Sequence, residues 1–400
     1  MSDLLINDVR VFDSQAGELR DGPVRVVGGV VESIGAEPPA DYDGPTLDGA
    51  GGTVIPGLID AHFHAYGFAT EAHTLEARPL SYVALAAARR LGRALRRGFT
   101  TVRDVAGGDP GLAAAIAEGL LPSPRYLYTG PGLSQTGGHG DPRPAEEPGG
   151  CACGGISVEV VDGVDALRVA VRDRFRRGAH AIKIMASGGV ISPTDPIRPP
   201  QYAAEEIRVV TDEAARRGSY VAAHSYSPEA IRHAVENGVR SIEHGNLLDR
   251  PTAELMAERD AFLVPTLAAY DSLDRLGVAA GISARSLAKN AEVLDAGRTA
   301  VELARAAGVP IGFGTDLMGE LESEQLVGLR LQTEVEGVER ALCSATRVNA
   351  TLIGRSDLGV VEPGAAADLV LLPGDVLADP SLLWSESRTV IQGGVVVPDE

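Results

Sequence analysis

Between residues 57 and 316, short apolar runs alternate with segments of helical period, and this alternation constrains the fold more than any other feature of the chain. Eight runs can be read: GLIDAHFH (57–64), TTVRDV (100–105), RYLYTG (125–130), AIKIMAS (181–187), YVAAHS (220–225), SIEHG (241–245), FLVPTL (262–267) and PIGFGTD (310–316). Helix candidates lie between them. In VDALRVAVRDRF, Val164, Leu167, Val171 and Phe175 recur at helical spacing before an Arg-Arg-Gly stop. Strands that alternate with helices argue for βα units and a parallel sheet. The expected class is therefore α/β, a (β/α)8 TIM barrel over residues 57–354.

The two ends read differently from the middle. Residues 3–56 hold short strand candidates punctuated by Gly, Asp and Pro, and residues 358–398 resume that style with ADLVLL and RTVIQGGVVV. Neither end has strands enough to stand alone, so residues 1–56 and 355–400 are expected to pair as one small β-sandwich domain. Residues 131–163 form a long Gly- and Pro-rich segment, expected as a loop at the mouth of the barrel.

Composition excludes several partners. A net charge of −19 repels nucleic acid and anionic membrane surfaces alike. No apolar run is long enough to span a bilayer, and the start, MSDLLINDVRVFD, lacks the basic patch and long apolar stretch of a secretory signal. Cys151, Cys153 and Cys343 are too few for a disulfide framework, which suits a reduced, cytoplasmic setting. Cys151 and Cys153 read as loop or core thiols rather than as a metal site.

Chemistry enters at the ends of the runs. The first closes on His62 and His64, two residues apart and so on one face of a strand. The fourth holds Lys183, the fifth His224, the sixth His244 and the eighth Asp316. A lone histidine at a strand end is usually a hydrogen-bonded rim residue. Five of eight runs carrying ligand-type groups point instead to a shared site, and imidazole plus carboxylate is the ligand set of zinc and its neighbours. His73, His180 and His233 have no such company and read as surface residues. Asp104 is expected to pair with Arg103 or a helix N-terminus, while Arg103 is a candidate receptor for a substrate carboxylate. Glu320, Glu322 and Glu324 read as a solvated helix start.

The chain has 34 arginines and only two lysines, Lys183 and Lys289. Lys183 sits inside the apolar run Ala181–Met185, where burial favours a neutral amine. A neutral amine can take up carbon dioxide as a carbamate, an anionic group able to bridge two metal ions; an arginine cannot. A Schiff-base lysine or a rim lysine paired with an acid are alternatives, but neither accounts for four nearby histidines.

Taken together, VIPGLIDAHFH, IKIMASGG, AHSYS, SIEHG and GFGTD resemble the amidohydrolase superfamily, and GVVEPGAAADLVLL and VIQGGVVV resemble its closing segments. Within it, TGGHGD (136–141) and the stretches around Lys183 and His224–His244 are most similar to metal-dependent Xaa-Pro dipeptidases (prolidases); imidazolonepropionase-like proteins share part of the pattern. The stretch PAEEPGGCACGG departs from it and is expected to shape specificity. The resemblance implies two divalent ions, zinc by default. His62, His64 and Asp316 would hold one, His224 and His244 the other, and carboxylated Lys183 would bridge them. It also implies that His139 and Tyr226 lie near the substrate carbonyl, and that Asp316 acts as ligand and proton carrier.

The expected activity is hydrolysis of an amide bond in dipeptides or N-acyl amino acids. A phosphotriester, lactone or cyclic amide at the same site, or a catalytically silent binding relative, are the alternatives. The expected partner is a small-molecule or dipeptide substrate, with homo-oligomer formation left open.

Overall fold

The computed structural model describes the whole chain except residues 1–2, 37–38, 71–73, 76, 144–154, 193–194 and 399–400. It shows a mixed α/β fold with parallel sheets. One such sheet contains β6 (Leu58–Phe63), β7 (Phe99–Asp104) and β8 (Arg125–Tyr128). A second runs in the order β10 (Val158–Val160), β9 (Gly132–Ser134), β11 (Ile182–Met185), β12 (Val221–Ser225), β13 (Ser241–His244), β14 (Phe262–Val264). Seven of the eight runs read from the sequence become strands of these sheets. Every residue of β6, β7, β11, β12 and β13 is buried, which is why they read as unbroken apolar runs rather than as alternating ones.

The eighth run, 310–316, is extended and meets each neighbour through two backbone hydrogen bonds. Gly312 N donates to Leu263 O at 2.8 Å on one side, and Ala61 N donates to Phe313 O at 2.9 Å on the other. Its ladder is interrupted because the Asn349 side chain takes the ladder's place. Asn349 Oδ1 accepts from Phe313 N (3.1 Å), and its Nδ2 donates to the carbonyls of Phe313 and Ile59 (both 2.7 Å). Across the other gap, His180 N donates to Tyr128 O at 2.7 Å.

Helices cover these sheets through one apolar face. Leu80–Arg96 buries Val83, Ala87, Leu91 and Ala94, a helical stripe that packs on Phe99 and Val102 of β7. Val164–Arg176 buries Leu167, Ala170 and Val171 against Ile182 and Ile184 of β11, with the expected Val164 and Phe175 half-buried beside them. Pro228–Glu236 starts where the Ser227 hydroxyl accepts from Ala230 N at 3.2 Å, an N-cap directly after the site-bearing β12.

The segment expected as a plain loop at 131–163 carries β9 and β10. Leu133 pairs with Ile184, so the segment extends the sheet beside Lys183. Cys151 and Cys153 lie outside the described residues; Cys343 is a free, half-buried thiol.

Strands from the two chain ends lie side by side in one mixed sheet. Its order is β17 (Val395–Val396), β16 (Thr389–Gln392), β15 (Leu369–Leu372), β5 (Thr46–Pro56), β1 (Leu4–Asp13), β3 (Val24–Val27), β4 (Val30–Ile34), with β2 (Glu18–Asp21) beside β1. Thr53–Pro56 runs antiparallel to Leu369–Leu372, joining the two ends. Val31 N donates to Ala365 O and Ala367 N to Gly29 O, both at 2.9 Å, so the far edge curls back toward the C-terminal strands. One apolar face, including Ile6, Val24, Val54 and Leu369, fills the inside of that curl. No helix among the described residues is long and apolar enough to cross a membrane.

Candidate active site

The strand ends open into a cavity of about 410 Å³, and His62, His64, Lys183, His224, His244 and Asp316 all line it. They come from five separate segments, so the parallel sheets set their spacing. Two of them reach the cavity through an unusual backbone: His244 has φ 74° and Asp316 φ 54°, in the left-handed region. Thr266, at φ 45°, joins them. Such conformations cost on the order of 1–3 kcal/mol each in non-glycine residues and persist only where the surroundings impose them.

Three imidazoles are tied outward by one nitrogen. His62 Nδ1 lies 2.7 Å from Glu243 Oε2, His244 Nδ1 lies 2.8 Å from Thr266 Oγ1, and His224 Nε2 lies 3.1 Å from Gly188 O. With those nitrogens donating, Nε2 of His62, Nε2 of His244 and Nδ1 of His224 keep their lone pairs. Metal-ligating histidines are oriented in this way by outer partners. His62 Nε2 (3.4 Å) and His64 Nε2 (2.9 Å) approach the same Asp316 oxygen. One ligand atom from each of these three residues lies within 4.8 Å of the others, a group that could hold a metal ion. The His62 ring centroid stands 4.9 Å from that of His244, which stands 4.5 Å from that of His224. The donor set therefore fits divalent metal.

Charge agrees with that fit at His224, His244 and Asp316; at His62 burial is outweighed by the Asp316 and Glu243 carboxylates, which raise its imidazole above the ordinary range. Burial pushes His224 and His244 well below the ordinary imidazole range, so both are neutral with a lone pair to give. Burial alone would raise Asp316, but His62, His64 and His244 hold its carboxyl well below the usual range. Burial lowers the Lys183 amine to about 8, with Arg103 adding to the effect and Glu243 and Asp316 opposing it.

His139 and Tyr226 also line the cavity. The His139 ring stacks on His224 at 4.0 Å, and its buried Nδ1 has no hydrogen-bond partner among the described residues. Burial lowers that imidazole to about 4. Tyr226 stacks on His244 at 5.3 Å, and its hydroxyl meets that of Tyr270 at 2.8 Å.

Several expectations need correction. Arg103 does not face the cavity: it is fully buried, donating to Glu243 at 2.8 Å and to Ala61 O at 2.5 Å. Asp104 pairs with neither Arg103 nor a helix terminus, since neighbours in a strand point to opposite faces. It accepts instead from Tyr126 Oη (2.7 Å) and Ala65 N (3.1 Å). Glu322 is buried on Arg93 and Arg97, and Glu324 meets Arg275 at 2.5 Å, so two of the three acids are ion-paired, while Glu320 is exposed at the start of a short helix. His180 and His233 are half-buried, His233 through Tyr202 O at 3.0 Å; His73 lies outside the described residues. The sequence reading missed Glu243 and Tyr270. An acid inside the buried run SIEHG was the available signal for Glu243; Tyr270 gave none.

Parallel α/β sheets that aim imidazoles and a carboxylate into one cavity define an enzyme with a candidate metal site. The chain belongs to the Amidohydrolase family, which matches its residues 53–397, and is an amidohydrolase. It is 32% identical over 354 residues to an ochratoxinase of Aspergillus niger, covering 82% of this chain and 71% of that protein. A crystal structure of a prolidase complexed with N-methylphosphonate-L-proline superposes with a TM-score of 0.96 at 41% identity, covering 100% of both chains. A crystal structure of a Xaa-Pro dipeptidase with bound methionine gives 0.88 at 29% identity, again over 100% of both.

Proposed function

We propose that the chain is a metal-dependent hydrolase that cleaves the peptide-type bond of dipeptides or N-acyl amino acids. The observation that carries this reading is the convergence of outward-tied imidazoles and Asp316 on one cavity. The likeness to a prolidase and a Xaa-Pro dipeptidase supports an amino acid, proline included, as the leaving group. Above the site the wall is apolar, with Leu75, Val158, Ile191, Leu273 and Ile282, which suits an uncharged acyl or side-chain group.

His62, His64 and Asp316 would hold one ion, His224 and His244 a second, with Lys183 between them as a carbamate formed from its neutral amine and carbon dioxide. Bound divalent ions, zinc by default, would act as Lewis acids and make hydroxide available near neutral pH. The chain's own residues do the rest. Asp316 takes the proton of the attacking water and returns it to the leaving nitrogen. His139 and Tyr226 donate to the carbonyl oxygen as negative charge builds there. Tyr270 holds the Tyr226 hydroxyl in place.

The same proposal covers the architecture. Hydrogen bonds at both gaps between the parallel sheets support closure into an eight-stranded barrel over 57–354, with 1–56 and 355–400 as a second domain. The test is amino-acid release from a panel of dipeptides and N-acyl amino acids by zinc-loaded protein. Release by wild type, with kcat reduced at least about a hundredfold in Asp316→Asn, is expected. Silence across the panel with metal verified in the protein would overturn the reading.

A further inference from the structure

Of the two lysines in the chain, Lys183 lines the cavity, and Lys289 has no part in the chemistry above. Lys289 stands near the start of the helix Ala284–Ala307 with its side chain only 12% exposed. Its Nζ donates to three backbone carbonyls: Gly189 at 2.8 Å, Ser192 at 2.9 Å and Asp195 at 2.8 Å. Three is the full donor capacity of an ammonium group. A guanidinium spreads its N–H groups over a plane and cannot meet three acceptors gathered about one point. This accounts for a lysine at this position in a chain that otherwise uses arginine.

The backbone held in this way serves the site along two routes. Gly188 O, one residue before the first acceptor, is the partner of His224 Nε2. Gly189 lies against the His139 ring so closely that a Cβ there would not fit. At the other end, the Asp195 carboxylate lies 4.0 Å from Lys289 Nζ and accepts from Gln201 Nε2 at 3.1 Å. Gln201 Oε1 in turn accepts from the backbone N of His139 at 3.0 Å. Asp195 and Gln201 are both buried, so neither bond is shared with solvent. Val190, Ile191 and Ser192, between the anchors, form cavity wall.

We propose that Lys289 is a positioning residue: its ammonium clamps the 188–192 backbone and Asp195, and through them orients His224 and His139. Only the expected effect on turnover rests on the proposed function; the clamp itself does not. The test is hydrogen–deuterium exchange on the full chain, comparing wild type with Lys289→Met and Lys289→Arg, alongside thermal melting and kcat and KM on the best panel substrate.

Both variants are expected to exchange about tenfold faster in peptides covering 186–192 and 136–141, with the remaining peptides and the melting temperature near wild type. kcat is expected to fall about tenfold, and KM to change less. Unchanged exchange at 136–141 would overturn the proposal, as would wild-type behaviour of Lys289→Arg. Loss of protection across the whole chain would mark a merely structural lysine and overturn it too. Should wild type hydrolyse nothing, the functional reading falls while the exchange data still decide the clamp.

Discussion

Glu243→Gln removes one charge from the middle of the molecule and tests how the site is braced from below. Glu243 and Arg103 are both fully buried. The carboxylate accepts from Arg103 at 2.8 Å, from Ser241 Oγ at 2.5 Å and from His62 Nδ1 at 2.7 Å. Glutamine keeps the shape but leaves the guanidinium without a counter-charge. Breaking one side of a buried pair costs about 3–5 kcal/mol. An unfolding entropy of about 2.1 cal/mol/K per residue gives roughly 0.8 kcal/mol/K for a chain of 400 residues, so melting should fall by about 4–6 °C. The assay is thermal unfolding at neutral pH, run on chelated protein so that altered metal affinity does not enter. Replacing both partners, Glu243→Leu with Arg103→Met, should recover most of the loss, because it is the orphaned charge and not the missing pair that destabilises. A Glu243→Gln variant melting within about 1 °C of wild type, or a double variant less stable than the single, would refute the reasoning.

Other perturbations read other parts of the structure. Gly189→Ala places a methyl group in the space of the His139 ring; kcat should fall about tenfold or more, with little change in melting, as steady-state kinetics and a melt would show. Tyr226→Phe removes a donor to the developing oxyanion, and kcat should drop about tenfold to a hundredfold with KM nearly unchanged. Glu336 is buried, and burial raises its carboxyl above the ordinary glutamate range against the bonds from Gln332 (2.7 Å) and Ser344 (3.2 Å). The folded state therefore holds this proton more tightly than the unfolded chain. Stability from this group rises as pH falls from its raised folded value toward the unfolded value of about 4.3. Glu336→Gln should accordingly melt higher than wild type at neutral pH, with the gap closing on acidification; a gap that widens in acid would contradict this.

How much of this was legible in the sequence follows from where each interaction is written. Strands buried on both faces spell continuous apolar runs, so β6, β7 and β11–β13 stood out, and the ligand-type residues interrupting them stood out in turn. The eighth segment was visible as a run, but its broken ladder was not, because the side chain that replaces the ladder is Asn349, 36 residues beyond Phe313. Glu243 serves His62 across 181 residues and Arg103 across 140. No local pattern marks such pairings, so neither the inward turn of Arg103 nor the bracing role of Glu243 is legible in the sequence around them. The same holds for Lys289, whose three acceptors lie 94 to 100 residues away. Its rarity was visible; its purpose needed the fold.

The most direct test of a metal-dependent amidohydrolase site is to strip the protein with a chelator and return zinc stepwise, measuring bound metal and amino-acid release together. Activity should be absent in the stripped protein and rise with zinc to a plateau at about two ions per chain, with His62→Asn and His64→Asn failing to recover it. Full hydrolysis by metal-free protein, or wild-type zinc uptake and activity in the His62 and His64 variants, would contradict the site assigned here.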